Sequence, residues 1–392
     1  MTRRTTLSRR ELLWWTTLLS ATSVVGLPRK ARAAGQKTLI LVELKGGNDG
    51  LNTLAPVKDP LYRKARPSLA LDEKDAVRFA GGVFLHPALA PLVPLVEQGE
   101  LAAVLNVGYP KPNRSHFRSI EIWDQASDSD DVLDDGWVTR ALTAGGRDKD
   151  ALASVLVESD PGPLTGAHTL GLDDEDALRR LASPKAARTL TRDEDRSPAL
   201  RHLVALRRDL QEESARVLAK VDDVRVPAMK DERLSRMRRA TETAAKLVAA
   251  DLGVPTLRLT VRGFDTHRGQ ARGHTGPLTQ LAVSIASLRA ALQEIGAWDR
   301  VLVVVTSEFG RRVAENKSGG TDHGAACPVL LIGRGVKPGL HGTPYALDAL
   351  HDGDLVPTTL HRDVFAAVAA RVFGAPAAAA LSPTPMQGLF TT

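Results

Sequence analysis

Thr256-Leu257-Arg258-Leu259-Thr260-Val261 leads into Gly263-Phe264-Asp265-Thr266-His267, and Val301-Leu302-Val303-Val304-Val305-Thr306 leads into Ser307-Glu308-Phe309-Gly310-Arg311. Each is an apolar, β-branched-rich run that ends at a carboxylate. Between them lies Gly276–Gly296, with Leu278, Leu281, Ile285, Leu288, Leu292 and Ile295 at the three- and four-residue spacing of an amphipathic helix. Strand, crossover helix and second strand make a βαβ unit, right-handed by expectation. Continuous apolar runs, rather than alternating ones, are what strands covered on both faces require. In an open α/β sheet the active site lies outside the carboxyl ends of the strands, where Asp265, His267 and Glu308 fall.

Four further runs read as parallel strands of the same sheet: Thr38–Leu44, Leu101–Val107, Ser154–Val157 and Val329–Ile332. The stretch from about Asp173 to Asp251 differs, being charged, Arg- and Ala-rich and helically periodic in Leu200–Val221 and Leu234–Val248. It reads as a helical insertion or cap, its arginines mostly a solvated face.

The first 33 residues read as an export signal rather than as part of the fold. Arg9-Arg10 precedes a moderately apolar run from Leu12 to Leu27, and Ala31-Arg32-Ala33 offers a small-residue cleavage site. Thr16, Thr17, Ser20, Thr22 and Ser23 dilute that run, which falls short of the roughly 20 apolar residues of a membrane-spanning helix. The expectation is twin-arginine export, cleavage, a periplasmic or extracellular mature protein and no stable membrane span. Seven of the 52 basic residues and one of the 46 acidic residues lie in this segment, leaving 45 of each. The basic excess therefore belongs to the targeting peptide, and no nucleic-acid reading survives its removal.

The single cysteine, Cys327, cannot form an intramolecular disulfide, so stability must come from a core. Roughly 360 mature residues suffice for one large α/β domain, residues 34–392, with a helical cap at about 173–251. Cys327 precedes Pro328 and Val329-Leu330-Leu331-Ile332, so it reads as a small buried residue rather than a nucleophile.

Three more clusters sit beside the strand runs. Lys45-Gly46-Gly47-Asn48-Asp49-Gly50 follows the first, with glycines that permit close backbone approach. Asn113-Arg114-Ser115-His116-Phe117 follows Leu101–Val107 and opens a helix, whose N-terminal N–H groups suit an anion. Ser115 and His116 are neighbours that point to different faces of a helix, so they do not form a local Ser-His pair. Thr321-Asp322-His323-Gly324 is the third. Carboxylates and imidazoles together suit a divalent metal, with zinc or manganese favoured and magnesium or calcium possible. His86, His168, His341, His351 and His361 carry no partner spacing, His274 reads as no ligand, and Trp123 and Trp137 read as packing.

Gly-Gly-Asn-Asp-Gly-Leu-Asn at 46–52, Arg-Ser-His-Phe at 114–117, Gly-Phe-Asp-Thr-His at 263–267, Ser-Glu-Phe-Gly-Arg at 307–311 and Thr-Asp-His-Gly at 321–324 form an ordered set. The set resembles that of the exported domain of unknown function 1501 family, grouped with the alkaline phosphatase and sulfatase superfamily. The resemblance implies an alkaline-phosphatase-like three-layer α/β/α sandwich with a mostly parallel central sheet and a helical insertion. It further implies Asp49, Ser115 and Glu308 around one metal, with Ser115 as nucleophile. Asp265, His267 and His323 would form the other metal position, with Asp322 a further ligand or an orienter of His323. Arg114 or Arg311 would hold a tetrahedral anion. Alkaline phosphatases carry an Asp-His pair where this chain has Glu308-Phe309, so one position loses an imidazole, which leaves open one metal, two metals in altered geometry, or none.

Two functions follow. The first is an exported metal-dependent hydrolase or transferase of phosphate or sulfate esters, small-molecule or polymer-linked, with Ser115 attacking. The alternative is a catalytically reduced relative that serves as an exported binding or assembly scaffold.

Overall fold

The computed structural model describes residues 37–147, 154–157, 160–167, 169–172, 175–183, 198–226 and 235–391. Residues 1–33, read from the sequence as an export signal, and His168 lie outside them. In chain order the strands are β1 (Thr38–Lys45), β2 (Leu54–Ala55), β3 (Val77–Ala80), β4 (Val83–Leu85), β5 (Leu101–Gly108), β6 (Ser154–Val157), β7 (Thr169–Leu172), β8 (Thr256–Arg262), β9 (Val301–Thr306), β10 (Cys327–Ile332), β11 (Gly339–His341) and β12 (Thr359–Leu360). The main sheet runs β11-β5-β10-β9-β1-β8-β6-β7, with β12 also paired to β5, while β2, β4 and β3 form a small separate sheet.

All six apolar runs are strands of the main sheet, and five of them run parallel to one another. The sixth corrects an expectation. β10, which contains Val329–Ile332, pairs antiparallel with both β9 and β5. Burial on both faces makes a strand apolar whichever way it runs, so composition carried no information on its direction. The reversal has a consequence for the site. The residues before β10 reach the same edge of the sheet as the residues after β1, β5, β8 and β9.

Side chains alternate across the strands and fill two cores. On one face Ile40, Val42 and Leu44 of β1 and Val301, Val303 and Val305 of β9 pack with Leu278, Leu281, Ile285, Leu288 and Leu292 of the helix Thr275–Glu294. The described helices of the 173–251 stretch, Glu175–Ala182, Pro198–Val221 and Ser235–Ala249, join this layer through Leu178, Val217, Val221, Ala244 and Leu247. On the other face Leu39, Leu41, Leu302 and Val304 pack with helices His116–Gln125, Trp137–Ala144 and His361–Phe373. The result is the expected three-layer α/β/α sandwich with a mostly parallel sheet. Trp123 and Trp137 are core residues there, Trp137 stacking on Phe365 at 4.6 Å. Cys327 is buried, and burial pushes its thiol pKa up, which leaves it unreactive. No helix among the described residues is long and apolar enough to cross a membrane.

Three histidines are held neutral inside this frame. His86 accepts the Ala88 N–H at the start of a helical turn, His274 meets Asn48 Oδ1 at 2.9 Å, and His361 lies 3.4 Å from the Ile122 carbonyl. Burial lowers their pKa values to about 4, about 3 and about 4 respectively. In the unfolded chain each titrates near 6.5. Above that pH neither state is charged and stability is full; below it the unfolded state takes protons that the folded state refuses. The urea midpoint is therefore expected to fall as pH drops from about 6.5 toward 4. A midpoint flat across this window would contradict the buried-neutral assignment.

Candidate metal centre

Glu308 lies two residues past the end of β9 and is buried, yet its carboxylate stays ionised. Burial opposes this, but His116 and the loop amides outweigh it and hold the pKa below the usual range. Its Oε1 accepts the Gly46 N–H at 2.8 Å and lies 2.9 Å from His116 Nδ1. His116 opens the helix after β5, and its bond to Glu308 raises the imidazole pKa.

Two other imidazoles converge on the same place. His267 Nδ1 lies 3.2 Å from Asp322 Oδ1, and His323 Nδ1 lies 2.8 Å from the Arg114 carbonyl. Each ring thus has one nitrogen tied to a carboxylate or carbonyl. The other nitrogen faces Asp265 Oδ1, at 3.6 Å for His116, 3.1 Å for His267 and 3.3 Å for His323. The His267 and His323 Nε2 atoms are 2.9 Å apart. Ligands about 2.0–2.2 Å from a shared ion stand roughly 3.0–3.5 Å from one another, so this donor set fits a divalent cation. His116, Asp265 and His323 form the one such group among the described residues, their ligating atoms all within 4.8 Å.

Asp265 is half-exposed but anchored. Arg311, whose side chain is fully buried, donates to its Oδ1 at 2.6 Å and to the carbonyls of Gly47 at 2.8 Å, Thr321 at 2.8 Å and Phe264 at 3.1 Å, and also to Gly46. Despite its partial burial, these bonds hold the Asp265 pKa below the carboxylate range. Gly46 (φ +120°) lets the β1 loop touch the Asp265 backbone, where a Cβ would come within 2.3 Å of its nitrogen.

The structure sorts the candidate residues. Asp265, His267 and His323 come together as expected, and Glu308 and Asp322 border them. His116 joins them although its motif had drawn attention to Ser115; the legible signal was its place one residue inside a helix that starts at the active edge. Ser115 is the exposed N-cap residue of that helix, and its hydroxyl makes no capping bond. Arg114, half-buried at the rim, is paired with Asp354 at 2.5 Å. Arg311 has its donors spent on carbonyls and Asp265, so it is a clamp rather than an anion-binding group. Phe309 is buried, its ring 4.9 Å from His116 and 4.5 Å from His323.

Asp49 stands apart. With no exposed side-chain surface, it bonds Arg66 at 2.5 and 2.9 Å and also accepts from Gln270. Arg66 overrides burial and holds its pKa low. Asp49→Ala is expected to leave the buried Arg66 charge uncompensated and to cost about 3–5 kcal/mol in urea denaturation. A variant as stable as the parent but unable to bind zinc would instead place Asp49 in the metal centre.

No curated protein matches the sequence. Among solved structures the chain is similar to a protein of the alkaline phosphatase superfamily from Vibrio parahaemolyticus, with TM-score 0.40, 10% identity and 95% of this chain and 78% of that one covered. It is also similar to the alkaline phosphatase from the Antarctic bacterium TAB5, with TM-score 0.34, 14% identity and 78% and 95% covered. A phosphonate monoester hydrolase from Silicibacter pomeroyi gives TM-score 0.36, 14% identity and 86% and 73% covered. The family described as "Protein of unknown function (DUF1501)" matches residues 101–369, more than half of the chain, and the chain belongs to that family.

Proposed function

We propose that the protein is an exported metal-dependent hydrolase or transferase of phosphate or sulfate esters, small-molecule or polymer-linked, delivered by twin-arginine export to the periplasm or beyond. The observation that carries this reading is the set of three imidazoles, each tied at Nδ1 and turned at Nε2 toward Asp265 Oδ1. Second-nitrogen bonds of this kind set the tautomer and direction of a metal-binding histidine. Asp265, His323 and His116, whose ligating atoms lie within 4.8 Å of one another, would hold the cation, with His267 beside them 3.1 Å from Asp265 Oδ1. Imidazole-rich donors favour zinc, manganese following, with magnesium and calcium less suited. A bound cation supplies Lewis acidity toward an ester oxygen.

The chain's own groups do the rest. Ser115 offers an uncommitted hydroxyl at a helix N-terminus, where backbone N–H groups and the positive dipole end favour an anionic ester. Arg114 neighbours it with a partly exposed guanidinium, suited to bidentate contact with tetrahedral oxygens. The half-exposed His267, at the edge of the ligand group, is placed to pass protons between solvent and leaving group. A second reading, an exported scaffold without turnover, is favoured by the buried Phe309 ring against two imidazoles and by the closure of Asp49 on Arg66.

Assays of the zinc- or manganese-loaded mature chain on aryl phosphate and aryl sulfate esters separate the two. Turnover is expected with one ester class, with Ser115→Ala silencing it while zinc still binds. Arg114→Ala is expected to lower turnover by about 100–1,000-fold, the loss typical of one charged group at a developing anion. Metal binding with no turnover on either class would favour the scaffold.

A further inference from the structure

We infer that the centre is mononuclear, with His116 as a metal ligand, Glu308 and Asp322 as orienting carboxylates, and Phe309 as the side chain that excludes a second ion. This rests on the metal-centre reading above. Of one metal, two metals in altered geometry or none, which the sequence leaves open, it selects one.

The first argument is donor availability. His116, Asp265 and His323 form one group with ligating atoms all within 4.8 Å of one another, and His267 Nε2 adjoins it, 3.1 Å from Asp265 Oδ1 and 2.9 Å from His323 Nε2. The carboxylates that a second ion would need are committed elsewhere. Asp49 is closed on Arg66, and Glu308 is shared by the Gly46 N–H, His116 Nδ1 and the Ser307 hydroxyl, the last at 3.1 Å. Asp322 binds His267 Nδ1 and the Asn316 side-chain amide at 3.1 Å.

The second argument is space. The Phe309 ring lies against both His116 and His323 and packs over Gly47, where a Cβ would come within 2.1 Å of it. Gly47 (φ +75°) is the residue that lets the ring lie there. An apolar ring beside Glu308 supplies no donor and keeps water out, so an ion placed there would be desolvated without ligands.

The third argument is charge. Asp265, Glu308 and Asp322 carry three negative charges, Arg311 carries one positive charge, and Arg114 is already paired with Asp354. Before the imidazoles are counted, these carboxylates and Arg311 sum to a net charge of −2. One divalent ion balances it; a second would leave an uncompensated excess in a partly buried site.

Elemental analysis and calorimetric titration of chelator-stripped chain with zinc chloride test this, alongside the absorption spectrum of the cobalt(II)-substituted protein. One ion per chain is expected. Glu308→Gln and Asp322→Asn should keep that stoichiometry with about 10–100-fold weaker affinity, the loss typical of an orienting partner. His116→Ala should weaken affinity more than either and change the cobalt spectrum. His116→Gln serves as the second variant, with the urea midpoint confirming that each protein folds. Two ions per wild-type chain, no bound ion, or a folded His116 variant with wild-type affinity and spectrum would each overturn the inference. One ion bound through His116 without ester turnover would leave it standing and overturn only the hydrolase reading. Turnover with two bound ions would do the reverse.

Discussion

A single buried guanidinium holds the active edge together. Arg311 follows β9, and its donors reach carbonyls in the loop after β1, in the loop after β8 and in the segment that precedes β10, together with the Asp265 carboxylate. A buried arginine is tolerable only when its donors are satisfied and its charge is offset. That requirement ties three loops, far apart in sequence, to one point. The same residue orients the carboxylate on which the imidazoles converge, so the frame and the chemistry share one anchor.

A second ion pair supports the region from below. Asp49 and Arg66 have no exposed side-chain surface, and Arg66 also bonds Asn52 and the carbonyls of Val313 and Arg312. The Gly-Gly-Asn-Asp segment is thereby fixed as a floor under the centre. Electrostatics divide the acids accordingly. Asp49 and Glu308 are buried and held ionised by neighbours, whereas Asp265 and Asp322 keep solvent contact. On the reading proposed above, a cation would meet pre-aimed nitrogens and an accessible oxygen rather than a closed salt bridge.

Much of the fold was legible because burial on both faces imposes a composition. Thr38–Leu44, Thr256–Val261 and Val301–Thr306 had to be continuously apolar, and the leucine spacing of Gly276–Gly296 had to follow the helical period. Short edge strands such as Gly339–His341 and Thr359–Leu360 escaped because two or three residues carry no period. The direction of β10 escaped for a different reason. The pairing Leu330 with Val305 and Ala103 depends on which strands flank it, and its own residues are silent on that.

Residue types alone set the inventory of the site: acids and imidazoles at or near strand ends, a serine at a helix start, and a phenylalanine where the resemblance implied an imidazole. Residue type sets which atoms can bind a metal or carry a charge, and that chemistry is local. The roles came from packing. Asp49 became a structural ion pair and Arg311 a clamp because their partners lie 17 and as many as 265 residues away. His116 joined the centre because Glu308, 192 residues on, turns its ring. Direction, distance and desolvation are properties of packing, and they assign each side chain its work.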